Sequence, residues 1–365
     1  MKVVFPSALG KIILFGEHAM NRGKAAVAAA VDRRVYCRIE LNARKGYLLI
    51  PGEKREEDTY PSLGQFKQEI DRLREDKDYD GIREHARDFF APIRYVLAHL
   101  YKHRPFGGIK IEWHSQLPMG AGLGSGAATY TSLVFAFFTA NGIPVDPKEI
   151  ADTAYQGDII AHGGIASSLD SSTSSFGEII RYTVEGGAQP LKKNPDLALV
   201  LVDTLIRSDT ADMNTIVRKW LSDSPSRGYI FENVGFIVDQ AIHALEGRRY
   251  GDIGNLMDLY QLLQGKIGTG CLECRQSIDL ARRAGALGAK ITGSGGGGMV
   301  IALCPPGNEN TIARSIIEAG GTAVPSWAGA PGGQLEDEVV WNGLSTTDLL
   351  DPFTTESFDG TKPNN

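Results

Sequence analysis

Cysteine is scarce in this sequence. Four occur in 365 residues, Cys37, Cys271, Cys274 and Cys304, too few to build a disulfide framework for a chain this long. Cys271-Leu-Glu-Cys274 has the spacing of half a metal site or of a redox pair. No second CxxC accompanies it, and a helical stretch follows directly, so the sequence favours cysteines without a shared task. An excess of positive charge is missing too. Lys and Arg number 38 against 44 Asp and Glu, a net charge of −6, which gives no long-range attraction for a nucleic-acid backbone or an anionic lipid surface. No uninterrupted apolar run approaches the ~18 residues of a membrane span, and Pro6 interrupts the N-terminal apolar stretch before it reaches signal-peptide length. The expectation is a cytoplasmic protein without nucleic-acid or membrane partners, whose ligands are held by a local site. Nothing in the sequence fixes the oligomeric state, and a homodimer is allowed.

What the chain does have is glycine, 43 residues of it, and hydrophobic patterning typical of a soluble globular protein. Its length suggests two domains on a prior of ~150 residues each. Short β-like runs at Lys11–Gly16, Ala25–Val31 and Val35–Leu41 open the fold. The stretch from about 52 to 80, dense in mixed-sign charge, reads as a solvated insertion with helical parts. Gly108–His114 alternates like a half-buried strand and runs into Pro118–Ala128, then into a small, apolar helix, Ala127–Ala140, stopped by Asn141-Gly-Ile-Pro144. A second helix extends from Pro147 to about His162. Gly163–Ser175 reads as a Gly/Ser-rich turn holding one carboxylate, Asp170. Leu197–Val202 is a buried strand that opens a second domain. Helices follow at Asp212–Lys219, Gly228–Glu246, Tyr250–Leu263 and Gln276–Ala286. Strands at Ala289–Thr292 and Met299–Cys304 flank a second glycine cluster, and the polar tail from 344 to 365 is expected to be mobile.

A phosphate tail needs several donors converging on it, and a glycine loop entering a helix supplies unpaired N–H groups at the positive end of the helix dipole. Gly120–Ala128 has that chemistry, with Ser125 able to offer a hydroxyl to phosphate or Mg²⁺. Its spacing is neither a P-loop nor a dinucleotide fingerprint, and a small-residue turn packing a helix on a sheet would look similar. The second cluster, Thr292-Gly-Ser-Gly-Gly-Gly-Gly298, is harder to explain by packing alone, because successive glycines lose backbone entropy on ordering. Two such segments between apolar elements suggest two walls around one polyanion.

Three segments together resemble the motifs of the GHMP superfamily of galacto-, homoserine, mevalonate and phosphomevalonate kinases. Ala8–Ala19 resembles the first motif, Pro118–Ala128 the second and Lys290–Gly298 the third. Within the superfamily, Gly16-Glu-His-Ala19 and the His162–Gly177 segment are most similar to the mevalonate kinases. The resemblance implies an ATP-dependent kinase whose phosphate cradle is Pro118, Gly120, Ala121, Gly122, Leu123, Gly124, Ser125, Gly126 and Ala127, with Gly295 and Gly296 opposite. It implies Asp170 as the catalytic carboxylate at the attacking hydroxyl and Lys11 as its cationic partner, easing ionisation of the nearby alcohol. Asp158, helped by Ser125, is implied as the Mg²⁺ ligand. Glu17 and His18 are implied as contacts to the acceptor, with Arg207 or Thr210 for its carboxylate. On residue type alone Lys11, Asp170 and Asp158 would pass for solvated surface charges. This chain departs from the pattern at Gly126, where the family usually has a second serine, at Met20-Asn-Arg22, and in the length of the His162–Asp170 segment.

The expected fold is α+β: an N-terminal β/α domain over residues 1–190 and a C-terminal ferredoxin-like domain over 191–343. The expected reaction is ATP-dependent phosphorylation of the primary hydroxyl of mevalonate. Another GHMP enzyme acting on a phosphorylated mevalonate, a different small alcohol or a sugar is the alternative, and a catalytically silent ligand sensor the non-enzyme one.

Overall fold

The computed structural model describes residues 2–42, 46–103, 107–207 and 210–344. The tail beyond Leu344, expected to be mobile, lies outside them. Among the described residues no helix is long and apolar enough to cross a membrane.

The N-terminal half carries β1 (Lys2–Val4), β2 (Pro6–Phe15), β3 (Ala26–Asn42), β4 (Tyr47–Pro51), β5 (Glu56–Asp58), β6 (Gly108–Ser115), β7 (Ile179–Thr183) and β8 (Gly187–Pro190). Its helices are α1 (Tyr60–Glu75), α2 (Tyr79–Ala86), α3 (Ala91–His103), α4 (Ser125–Asn141), α5 (Pro147–Ala161) and α6 (Leu169–Phe176). Every residue of β2 is buried, as its nearly unbroken apolar sequence requires of a strand covered on both faces. Strand β3 spans 17 residues and pairs in turn with β7, β2, β6 and β1. Helix α4 is apolar all round and buried along most of its length, the pattern of a helix inside a core rather than on its surface. Left-handed glycines bound it, Gly124 at φ 71° and Gly142 at φ 66°, the second closing it by accepting a conformation that other residues adopt at a cost.

The charged stretch after residue 52 is less detached than a solvated insertion. Helix α1 turns its charges outward but buries Leu63 and Ile70. Ile70 joins Ile82 of α2, Tyr95 of α3, and Ile159 and Ile160 of α5 in one apolar cluster. The insertion therefore braces α5 from outside.

The Gly/Ser-rich turn expected at Gly163–Ser175 is corrected by the structure: residues 169–176 form helix α6. Serine and threonine favour turns when their hydroxyls compete for the backbone, but here those hydroxyls reach other carbonyls. Thr173 donates to the Leu169 carbonyl, Ser174 to that of Leu9 and Ser175 to that of Pro147, each at 2.7 Å. The small buried side chains let α6 lie against β2.

The C-terminal half runs β9 (Leu197–Asp203), α7 (Thr210–Ser222), α8 (Ile230–Glu246), α9 (Tyr250–Ile267), α10 (Leu272–Arg283), β10 (Gly288–Ile291), β11 (Met299–Leu303), α11 (Glu309–Glu318), β12 (Thr322–Ala328), β13 (Gln334–Leu335) and α12 (Glu338–Gly343). The sheet order β10-β11-β9-β12, antiparallel throughout, is that of a β-α-β-β-α-β ferredoxin-like unit. Val31 of β3 pairs with Ala328 of β12, and β13 returns to pair with β2. The two halves thus share one continuous run of hydrogen-bonded strands.

Candidate active site

A cavity of about 400 Å³ opens where β2, the start of α4, the end of α5, the start of α6 and the second glycine cluster converge. Its lining includes Lys11, Glu17, His18, Gly120, Gly122, Gly124, Ser125, Gly126, Ala127, Asp158, Asp170, Thr210 and Gly295. Most of the residues that the sequence singles out are thus brought to one place.

The two glycine segments touch each other directly. The Met299 amide donates to the Ala121 carbonyl at 3.1 Å, and a Cβ on Gly122 would sit 3.3 Å from the Thr292 carbonyl. Thr292 also ties the second segment to β2, its hydroxyl accepting from the Ile13 amide at 2.8 Å. Both loops therefore face one cavity. Pro118, Ala121, Leu123 and Gly296 are not among the lining residues: the Leu123 carbonyl accepts from the Lys11 amide at 2.8 Å, and the Gly296 amide is held by the Thr269 carbonyl, also at 2.8 Å.

Lys11 is buried and its ammonium lies 3.1 Å from Asp170, whose side chain is 26% exposed. The pair is possible because Gly124 has no side chain, since a Cβ there would lie 2.8 Å from Lys11 Cγ. Strand β2 supplies the lysine and the first turn of α6 the aspartate, so correcting 169–176 from turn to helix also fixes how Asp170 is aimed.

Asp158 is buried on α5, and its Oδ2 has no hydrogen-bond partner. Burial first, and the neighbouring Asp170 charge second, push its carboxyl well above the ordinary carboxylate range, while Lys11 and a hydrogen bond from Ser171 oppose the shift. A folded-state pKa raised in this way means that keeping Asp158 ionised costs stability, a cost absent below the usual carboxylate range and complete above the raised value. A cation at the orphaned oxygen would remove it. Among the described residues no cluster of three or more His, Cys, Asp or Glu side chains forms a metal cage.

At the other end of the cavity Glu17 pairs with Lys290 at 2.6 Å, both almost fully buried. Lys290 also donates to the Ile13 carbonyl at 3.2 Å and to that of Ile291, and burial draws its ammonium below the usual lysine range. Glu17 Oε2 is left unpartnered. His18 adopts φ 62°, an uncommon conformation for a non-glycine residue, with its Nε2 2.9 Å from the Ser294 carbonyl. Burial lowers its pKa, and Asn214 of α7 supplies a further hydrogen bond. Thr210 reaches Ser294 across 3.4 Å. Arg207 is not brought to the cavity: both of its terminal nitrogens are engaged by Asp203, at 2.7 and 2.8 Å.

Lys290 and Asn214 are the site residues that the sequence reading left without a role. Lys290 opens the third motif in plain view, but its significance depends on Glu17 lying beneath it, 273 positions away. Asn214 carries no local signal, being one polar residue on an amphipathic helix.

Comparison with known proteins follows the same lines. The description "GHMP kinases N terminal domain" matches residues 91–178 and "GHMP kinases C terminal" matches 241–322. A mevalonate kinase of Pyrococcus abyssi is 30% identical over 342 residues, covering 92% of this chain and 98% of that protein. The chain belongs to the GHMP kinase family. Its fold is also that of solved mevalonate kinases. One from Methanococcus jannaschii superposes with a TM-score of 0.74 at 21% identity, covering 90% of this chain and 98% of that one. One from L. major in complex with R-mevalonate gives 0.72 at 24% identity, covering 91% and 97%.

This GHMP kinase is an ATP-dependent phosphotransferase, and its Gly126 packs against a tyrosine. A Cβ at 126 would lie 3.3 Å from the Tyr130 hydroxyl, one helical turn on, and Tyr130's ring fills the space where Gly157 of α5 has no side chain. Gly126→Ser should fold at a cost of about 1 kcal/mol, because a tyrosine ring end can yield by a few tenths of an ångström. It should also lower the Mg²⁺ concentration for half-maximal activity by adding a hydroxyl beside Ser125. A variant that fails to fold would show that Tyr130 cannot move.

Proposed function

We propose that this kinase phosphorylates the primary hydroxyl of mevalonate. The observation that carries the chemistry is the Lys11–Asp170 ion pair, 3.1 Å long, opening on the cavity that both glycine segments line. Phosphoryl transfer asks a protein chiefly for positioning and for compensation of spread negative charge. Asp170 orients the acceptor hydroxyl and receives its proton, while Lys11 compensates charge on the acceptor oxygen as the proton leaves. The backbone amides of the first loop, at the N-terminus of α4, meet the nucleotide phosphates, with the Gly293–Gly298 segment forming the facing wall.

The residues present suit Mg²⁺. Asp158 presents a buried carboxylate oxygen without a partner, and Ser125 lines the same cavity. Mg²⁺ is commonly held by one or two carboxylates together with phosphate oxygens and water, so the lack of a three-ligand cage among the described residues fits it. When bound it neutralises charge on the phosphates.

Mevalonate is supported by the names of the relatives and by the charge of the cavity. Among the described lining residues Lys11 is the only lysine or arginine. A singly charged carboxylate can be met by donors such as Thr210 and Asn214, whereas a phosphorylated acceptor would bring further negative charge with no second lysine or arginine among the described lining residues to receive it. Arg22, nearby in sequence, donates to the His18 carbonyl and lies over the Phe231 ring. The same reading divides the chain near residue 190, with the acceptor and nucleotide lying between 1–190 and 191–343.

The test is ATP consumption with mevalonate, 5-phosphomevalonate and galactose in parallel. Mevalonate should give the largest kcat/KM and yield 5-phosphomevalonate. A larger value for either of the other two would overturn the assignment of the acceptor, and ATP binding without turnover of any of them would favour a sensor.

A further inference from the structure

The sequence reading left Cys271 and Cys274 without a task, and the structure pairs them. They form a disulfide across three positions at the start of α10, where Cys271 is the N-cap and its sulfur accepts the Cys274 amide at 3.0 Å. Cys271 is half-buried and Cys274 fully buried, and Leu272 between them is exposed. Cys271 is thus the less buried of the two and caps a helix N-terminus, a position that favours a thiolate once the bond is cut. Cys37 and Cys304, by contrast, are buried and unpaired.

Two residues before Cys271 the chain meets the second glycine segment. Thr269 is fully buried and its own hydroxyl donates to the Gln264 carbonyl at 3.1 Å. Its carbonyl accepts the Gly296 amide at 2.8 Å. Gly295, at φ 89°, comes so near that a Cβ there would lie 2.3 Å from that same carbonyl. The segment that faces the nucleotide loop is therefore held by a stretch of chain whose far end is the disulfide. A four-residue disulfide ring fixes the extended backbone at Cys271, φ −130° and ψ 171°, and with it the direction in which the chain returns to Thr269.

We propose that Cys271–Cys274 is a thiol–disulfide exchange site, open to dithiols, that sets how firmly the Gly293–Gly298 segment is held. An external dithiol attacks the less buried Cys271 sulfur as its thiolate, the Cys271–Cys274 bond breaks, and Cys274 leaves as a thiolate that takes up a proton. The second thiol of the reagent resolves the mixed disulfide, so Cys271 is also protonated and the reagent departs as a disulfide, having supplied both electrons. The oxidised protein holds the glycine segment tightly and the reduced protein holds it loosely. The proposal rests on loop packing and is independent of which alcohol is phosphorylated.

The experiment compares protein treated with oxidised or reduced dithiothreitol. Labelling with a maleimide after denaturation counts free thiols, two fewer being expected in the oxidised form. Amide exchange of the peptide spanning 293–298 is then read in both forms without nucleotide, and ATP affinity is measured by calorimetry. Reduction should speed the exchange and weaken ATP binding, each by about five- to tenfold. The Cys271→Ser/Cys274→Ser variant should show the loose values in both buffers. Equal exchange and equal affinity in the two forms, or four free thiols under both treatments, would overturn the proposal. A protein that binds no nucleotide but still changes exchange on reduction would leave the exchange site standing and count against the kinase reading alone.

Discussion

Asp170→Asn is expected to lower kcat by roughly 10²–10⁴-fold, the range over which a positioned general base contributes, while the ATP dissociation constant stays within about twofold. Asparagine keeps the size and hydrogen-bonding shape of the side chain but cannot accept the hydroxyl proton. The carboxylate contacts Lys11 rather than either glycine loop, so nucleotide binding has little to lose. Single-turnover kinetics and calorimetry on the same preparation separate the two quantities. Circular dichroism would check that Lys11, buried beside a neutral partner, has not unfolded the site. Near-normal turnover would remove Asp170 from the chemistry and with it the mechanism.

The larger structural effect should come from Lys290→Met. Lys290 is fully buried, and its ammonium bonds Glu17 and two backbone carbonyls. Breaking a buried pair by removing one member costs about 3–5 kcal/mol, because the charge left behind has neither partner nor water. The loss should appear as a lower urea midpoint at unchanged slope. Adding Glu17→Gln to the same protein should recover part of it, since the stranded charge is then gone, and the double-mutant cycle measures the coupling. Additive losses would mean that the pair is structurally idle.

The lining of the cavity was legible where chemistry and local sequence coincide. Strand β2, the loop into α4, helix α5 and the second glycine cluster all carry their signal in adjacent residues, and the structure brings Lys11, Ser125, Asp158 and Asp170 into one cavity. Local signal failed where a residue's partner is remote. The serines of 171–175 look like turn formers until β2 and α5 present carbonyls for their hydroxyls. Arg207 looks available until Asp203, four positions earlier, takes both of its terminal nitrogens. The region between Cys304 and Leu344 yielded no element to pattern reasoning, although it holds α11 and β12. Pro325 inside β12 is the kind of residue that argues against an interior strand, and it is accommodated because β12 pairs with β9 along its length but with β3 only at Ala328, leaving Pro325 with a ladder partner on one side alone.

Strand β3 bears on how the enzyme opens. Its first residues pair with β7, its middle with β2 and, through Val31, with β12, and its remainder with β6 and β1. A single covalent strand is thus stitched into both halves, and swinging them apart would mean tearing ladder hydrogen bonds on either side of it. Loading and product release are therefore expected to move the rim, the glycine segments and the turn at His18, while the sheet beneath stays in register. The behaviour expected is that of a fixed bowl with a movable lip rather than a hinged jaw.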